Sequence, residues 1–174
     1  TIFYLKFDEA WRPYQVWKHV LGEKTSSDEL VMEEKDPKFR VDATRSRSGD
    51  YVFFNIGSAT TDEVWFLSMD KLKGSAKREL KCVAKREQNV EYSVAHHGQE
   101  FLILTNKDNA TNFKLMTAPC SDPGNWKEVI PHSKDLTLLR AHTFKDFVVI
   151  EQRGEGLSQF RIRYKSGVCV CVNQ

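Results

Sequence analysis

The sequence predicts an all-β protein assembled from repeated four-stranded sheets. Three observations carry this. A short strand with one aliphatic or aromatic anchor recurs as Gln15-Val16-Trp17, Glu63-Val64-Trp65, Asn112-Phe113-Lys114 and Gln159-Phe160-Arg161, with anchors 48, 49 and 47 positions apart. Upstream of the last three anchors stands an apolar run: Asp50-Tyr51-Val52-Phe53-Phe54, Glu100-Phe101-Leu102-Ile103-Leu104 and Asp146-Phe147-Val148-Val149-Ile150. The chain opens partway through the same pattern with Ile2-Phe3-Tyr4-Leu5. Three of the units also grade from strands apolar on both faces to strands that alternate. Periods of about 40–50 residues with several strands each mark β-propeller blades.

Taken in order, the second unit starts with an inner strand at Arg40–Thr44 and a Ser48-Gly49-Asp50 turn, where glycine supplies a positive φ. Tyr51–Ile56 reads as a strand buried on both faces, and Glu63–Ser68 as the next. The third unit repeats this with Glu91–Ala95, a His97-Gly98 turn, Glu100–Thr105, Asn112–Thr117 and Trp126–Ile130. The fourth has Leu138–His142, Phe147–Gln152, a Gly154-Glu155-Gly156 turn and Gln159–Tyr164. In that last strand Phe160, Ile162 and Tyr164 alternate with Arg161 and Arg163, which predicts an arginine side facing water. Leu72, Ala76, Leu80, Val83 and Ala84 fall at helical spacing, but Gly74 and Ser75 weaken a helix. The repeat register favours an outer strand near Glu79–Val83. Gly167–Val172 completes a fourth outer strand, or is an end out of its context. The blades are placed at 1–39 (incomplete), 40–89, 90–136 and 137–172, about three and a half in 174 residues. Because propellers close with four to eight blades, the expectation is a piece of a longer ring, or a chain whose open faces are covered by self-association.

Composition narrows the function classes. Apolar residues are 40%, charged residues 29% and the net charge is +2, which fits a globular chain and gives no general nucleic-acid binder. No apolar run is long enough to span a membrane, and no secretory leader is visible. The four cysteines, at 82, 120, 169 and 171, lack zinc spacing and read as reduced thiols of a cytoplasmic protein.

No residue is assigned a catalytic role. No G-x-S-x-G elbow occurs. His96 and His97 read as part of a solvated hairpin turn without metal partners, and His19, His132 and His142 as isolated. Lys71, Lys73, Lys77, Arg78, Lys81, Lys85 and Arg86 face three acids between Ser68 and Gln88. This run reads as a solvated, edge-protecting face rather than a phosphate-binding patch. Trp11, Trp17, Trp65 and Trp126 read as packing, since Trp17 and Trp65 are equivalent repeat positions. No metal and no cofactor is implied.

A resemblance adds to this. Arg12-Pro13-Tyr14-Gln15-Val16-Trp17-Lys18-His19-Val20-Leu21-Gly22, Asp28-Glu29-Leu30-Val31 and Glu33-Glu34-Lys35-Asp36-Pro37-Lys38-Phe39 carry it. It continues through Thr44-Arg45-Ser46-Arg47-Ser48-Gly49, Thr60-Thr61-Asp62-Glu63-Val64-Trp65, Val90-Glu91-Tyr92-Ser93-Val94 and Asn125-Trp126-Lys127-Glu128-Val129-Ile130-Pro131-His132. Over roughly residues 1–165 the chain resembles the propeller of the oligopeptidase B branch of the prolyl oligopeptidase family of serine peptidases. The resemblance implies a seven-bladed propeller capping an α/β-hydrolase domain, which limits access to short peptides cleaved after Arg or Lys. The triad belongs to that second domain, so no site residue carries over and the chain alone is expected to be inactive. The expected partners are a hydrolase domain of the same protein and, through it, short peptides. Two other readings stay open: a stand-alone interaction propeller without enzymatic activity, and a polyanion binder acting through Lys71–Arg86.

Overall fold

A computed structural model describes residues 1–72, 79–165, 167 and 169–173. The described strands form four antiparallel sheets in chain order. The first holds β1 (Ile2–Phe7), β2 (Pro13–His19) and β3 (Glu29–Glu33). The second holds β4 (Arg40–Arg45), β5 (Tyr51–Gly57), β6 (Asp62–Ser68) and β7 (Lys81–Ala84). The third holds β8 (Tyr92–His97), β9 (Glu100–Thr105), β10 (Lys114–Pro119) and β11 (Lys127–Ile130). The fourth holds β12 (Leu136–Thr143), β13 (Phe147–Gly154), β14 (Leu157–Tyr164) and β15 (Cys169–Asn173). Each sheet is a simple up-and-down meander, the all-β blade arrangement that the repeats predict. The first has no counterpart of β4, β8 or β12.

Two-sided burial explains the continuous apolar runs. Along β5, Val52, Phe54 and Ile56 join Val16 and Met32 of the first sheet, while Phe53 turns to the third sheet. Along β9, Phe101 and Ile103 face the second sheet, and Leu102 and Leu104 face Leu138, Val148 and Ile150 of the fourth. Successive side chains point to opposite faces, so a strand sandwiched between two sheets is apolar on both faces where its neighbours cover it.

The anchors acquire a physical meaning here, with one correction. In each of the first three sheets the register between the next-to-last and outermost strands slips just after a fully buried aliphatic residue. The slips are Val16/Trp17, Val64/Trp65 and Leu115/Met116. The third anchor is therefore Leu115, not Phe113. Phe113 sits before β10 with φ 61°, closing the loop from Asn106. Such bulges bend the strand and increase its twist, so the repeat encodes blade curvature as well as a core position. The β14–β15 ladder runs without a slip.

The outer-strand expectation near Glu79–Val83 is met by β7, which begins two residues later; Ala76, invoked for the helical alternative, lies outside the described residues. The expectation for β14 is met only in part: Arg163 is exposed, but its side of the strand is the one that faces a neighbouring sheet. Ile150 pairs with Arg161 and Val148 with Arg163. Cross-strand partners share a face, so the arginine side is turned to the third sheet, and Arg163 lines a cavity against Leu102 and Leu115. The apolar row of Phe147, Val149, Phe160 and Ile162 is turned away. It occupies the register of Phe53, Val64 and Phe66 in the second sheet, which the third sheet covers. Alternation defines two faces but not which one is covered. Ile162→Lys is expected to lower self-association of this chain in light scattering without lowering its unfolding midpoint. In a longer chain whose next sheet covers this face, it should cost about 2–4 kcal/mol.

Candidate functional site

The turns joining the first two strands of sheets two, three and four come together at one end of the molecule. Gly49 and Gly98 take φ of 84° and 68° there, as tight hairpins require. Between the turns lies a cavity of about 440 Å³ walled by Arg47, Ser48, Asp50, His97, Lys145 and Lys165, among others.

His96 is not on a solvated turn. It is 4% exposed, at the end of β8, with its ring 4.6 Å from that of Tyr51. Its Nε2 lies 2.8 Å from the Gly98 carbonyl, which only accepts, so Nε2 carries the proton and Nδ1 accepts from the Ser48 hydroxyl at 2.7 Å. The Asp50 carboxylate stands 3.7 Å from that same Nδ1. A charge-relay triad needs serine and carboxylate on opposite ring nitrogens. Here both face one nitrogen, and Ser48 also bonds Ser46 at 2.9 Å. Ser48, His96 and Asp50 therefore clamp the second sheet to the third rather than form a nucleophile. His97 is half-buried on the cavity wall, and its Nε2 has no hydrogen-bond partner. Burial, with Lys165 nearby, holds its pKa below the ordinary value.

A second inter-sheet cluster stands at Arg86, which the sequence places in a solvated basic run. Arg86 forms ion pairs with Glu34 of the first sheet's edge and Glu63 of β6 (3.3 Å), and stacks 4.1 Å from Phe39. Burial would raise the Glu63 carboxyl, but the backbone N–H of Arg86, the Trp65 indole and the guanidinium together hold it below its ordinary value. Lys85 lies 4.0 Å from the Trp65 ring and Lys81 3.7 Å from Glu79. Lys73, Lys77 and Arg78, the centre of that run, lie outside the described residues.

Tyr92 plugs the bulge of the second sheet from the third. Its hydroxyl accepts from the Val64 N–H at 2.7 Å and donates to the Ala84 carbonyl, the two residues paired where the ladder slips. Burial pushes the phenol pKa well up. Tyr92→Phe leaves both backbone groups unpaired, so a loss of about 1–3 kcal/mol is expected in denaturant titration, with an unchanged fold by circular dichroism.

The other candidates are structural. His19 is paired rather than isolated: its Nδ1 lies 2.7 Å from Asp28, which also accepts from Tyr4 at 2.8 Å, tying β1 and β2 to the turn before β3. His142 lies 3.5 Å from Glu151 and His132 3.4 Å from Thr111. The indoles of Trp17 and Trp65 bond Gln15 and Glu63 in the same way, as equivalent repeat positions should. Cys82 and Cys120 are half-buried, and burial pushes their pKa up, to about 11 for Cys82, which disfavours the reactive thiolate. Cys169 and Cys171 are exposed on β15. Among the described residues no three His, Cys, Asp or Glu side chains group as metal ligands, and no helix is long and apolar enough to cross a membrane.

These features describe a scaffold held by inter-sheet clamps. The family described as the prolyl oligopeptidase N-terminal β-propeller domain matches residues 1–172. Protease 2 of Moraxella lacunata is 36% identical over 158 residues, 91% of this chain and 22% of that protein. Dipeptidyl aminopeptidase BI of Pseudoxanthomonas mexicana is 33% identical, over 93% of this chain and 22% of its own length. The chain thus spans about a fifth of the relatives it matches. Among solved structures, oligopeptidase B of Leishmania major superposes with a TM-score of 0.87 at 32% identity, over 93% of this chain and 22% of that one. Oligopeptidase B of Trypanosoma brucei gives 0.88 at 30% identity, over 98% and 25%. With its meander sheets, its two-sided cores and this match over nearly its whole length, the chain belongs to the N-terminal β-propeller domain family of prolyl oligopeptidases.

Proposed function

We propose that this chain is the non-catalytic, substrate-gating part of an oligopeptidase-B-like serine peptidase that hydrolyses short peptides after basic residues. The observation that carries the reading is the family match across residues 1–172, joined to polar clusters at Ser48–His96 and at Arg86 that clamp one sheet to the next. A gate needs a rigid wall rather than reactive groups, because exclusion of folded proteins is steric. The partner in this reading is an α/β-hydrolase domain of the same protein, which supplies the serine, the base and the acidic pocket for Arg or Lys. The location we propose is the cytoplasm.

The test compares this chain with the longest natural chain that contains it. Short peptides with Arg, Lys, Pro or Ala before the scissile bond are offered to both, alongside a folded protein of similar lysine content. Cleavage after Arg and Lys by the longer chain only, with the folded protein spared, is the expected result. Hydrolysis by the 174-residue chain itself, or equal cleavage of the folded protein, would overturn the reading.

A further inference from the structure

We propose that the cavity between the inner turns of sheets two, three and four is a binding site for a compact oxyanion, a carboxylate or a phosphate. Its wall carries three cations, Arg47, Lys145 and Lys165, against the single carboxylate of Asp50. Among the described residues, none of the three cations is held in a salt bridge. Asp50, whose side chain is 65% exposed, offsets only one of them, which leaves the wall with an excess of positive charge.

Arg47 is prearranged for this. Its guanidinium stacks 4.1 Å from the centre of the Phe144 ring, and Phe144 in turn stacks on Phe147 at 4.6 Å and 16°. Stacking uses the face of the guanidinium and leaves its edge N–H groups free, the groups that recognise planar carboxylate or phosphate oxygens. The arginine comes from the second sheet and the aromatic platform from the fourth, so the fixed geometry is a product of the assembled turns. His97 lines the same wall, and its Nε2 is buried without a hydrogen-bond partner. A buried ring nitrogen without a partner is costly, and an anion beside it would draw a proton onto the ring and supply one. Lys145 and Lys165, both exposed, add flexible charge at the rim.

The site does not depend on the peptidase reading, since inorganic phosphate tests it alone. The experiment is calorimetric titration at low ionic strength, where exposed charges are least screened. Three probes are used on the longest natural chain containing these residues: inorganic phosphate, an acetylated trialanine with a free C-terminal carboxylate, and the same peptide as its C-terminal amide. Binding of phosphate or the acid peptide, but not the amide, is expected. Phosphate alone would identify a free anion as the ligand, and the acid peptide alone a peptide end. The doubly substituted K145Q/K165Q protein is expected to bind about tenfold more weakly. R47Q is expected to weaken binding similarly, while the His97 ring protons should shift on binding in the unsubstituted protein. No binding by either anion, equal binding of acid and amide, or an affinity unchanged in both variants would overturn the proposal.

Discussion

Phe101→Ala is expected to lower stability by about 3–5 kcal/mol, the range for removing a fully buried aromatic ring. The ring is 0% exposed and makes edge-on contacts with Tyr51 (5.2 Å), Phe53 (5.6 Å) and Phe66 (4.9 Å). It also stands 6.0 Å from the His96 imidazole. The sheets around it cannot collapse into the vacated space, because both are fixed by further sheets behind them. Since a domain's whole stability is about 5–15 kcal/mol, the loss should show as a large fall in the denaturant midpoint. A Phe101→Leu control should lose much less, because it keeps most of the volume. A Phe101→Ala loss below about 1 kcal/mol would mean that the second and third sheets do not meet as described.

The second large effect is expected at Arg86. Removing its guanidinium by Arg86→Ala leaves Glu34 and Glu63, 7% and 5% exposed, as buried carboxylates that have lost their cation. The expected cost is about 3 kcal/mol, the lower end for breaking a buried pair, because the Arg86 side chain keeps 29% exposure. The pH dependence follows from Glu63. Its folded pKa lies below the ordinary 4.5, so its contribution is fully present above that value and is lost as pH falls through the folded pKa. Unfolding midpoints of the parent protein should therefore drop on acidification below about pH 4.5. The variant, in which burial of Glu63 is less well offset, should show a smaller drop across the same window. Parallel pH profiles for the two proteins would sink this account.

Much of the fold is legible in the chain because strand physics is local. The period-2 alternation and the uninterrupted apolar runs at Tyr51–Ile56 and Glu100–Thr105 reflect burial on one face or two, and turn glycines mark where the chain reverses. The repeat spacing then places like strands in like positions. The slip from Phe113 to Leu115 shows where this stops. Both residues are apolar and two apart, so they share a parity, and only the φ of 61° at Phe113 separates the loop from the strand.

The polar clusters were not legible, for a different reason. Ser48 meets His96 across 48 positions and Arg86 meets Glu34 across 52. Neither pairing has a local spacing that marks it, so His96 read as a turn residue and Arg86 as one more solvated cation. The sole hint was the repeat itself, which puts Ser48 and His96 near equivalent hairpins one period apart.

The sequence by itself determined that this is an all-β repeat protein, where its strands and turns fall, and which family it resembles, since these follow from neighbouring residues and their period. Only the tertiary structure decided which face of each strand is covered and which charges are paired, and that three turns enclose a cationic cavity. Those outcomes depend on which sheet comes to lie against which, and alternation along one strand is the same whichever side its neighbour takes.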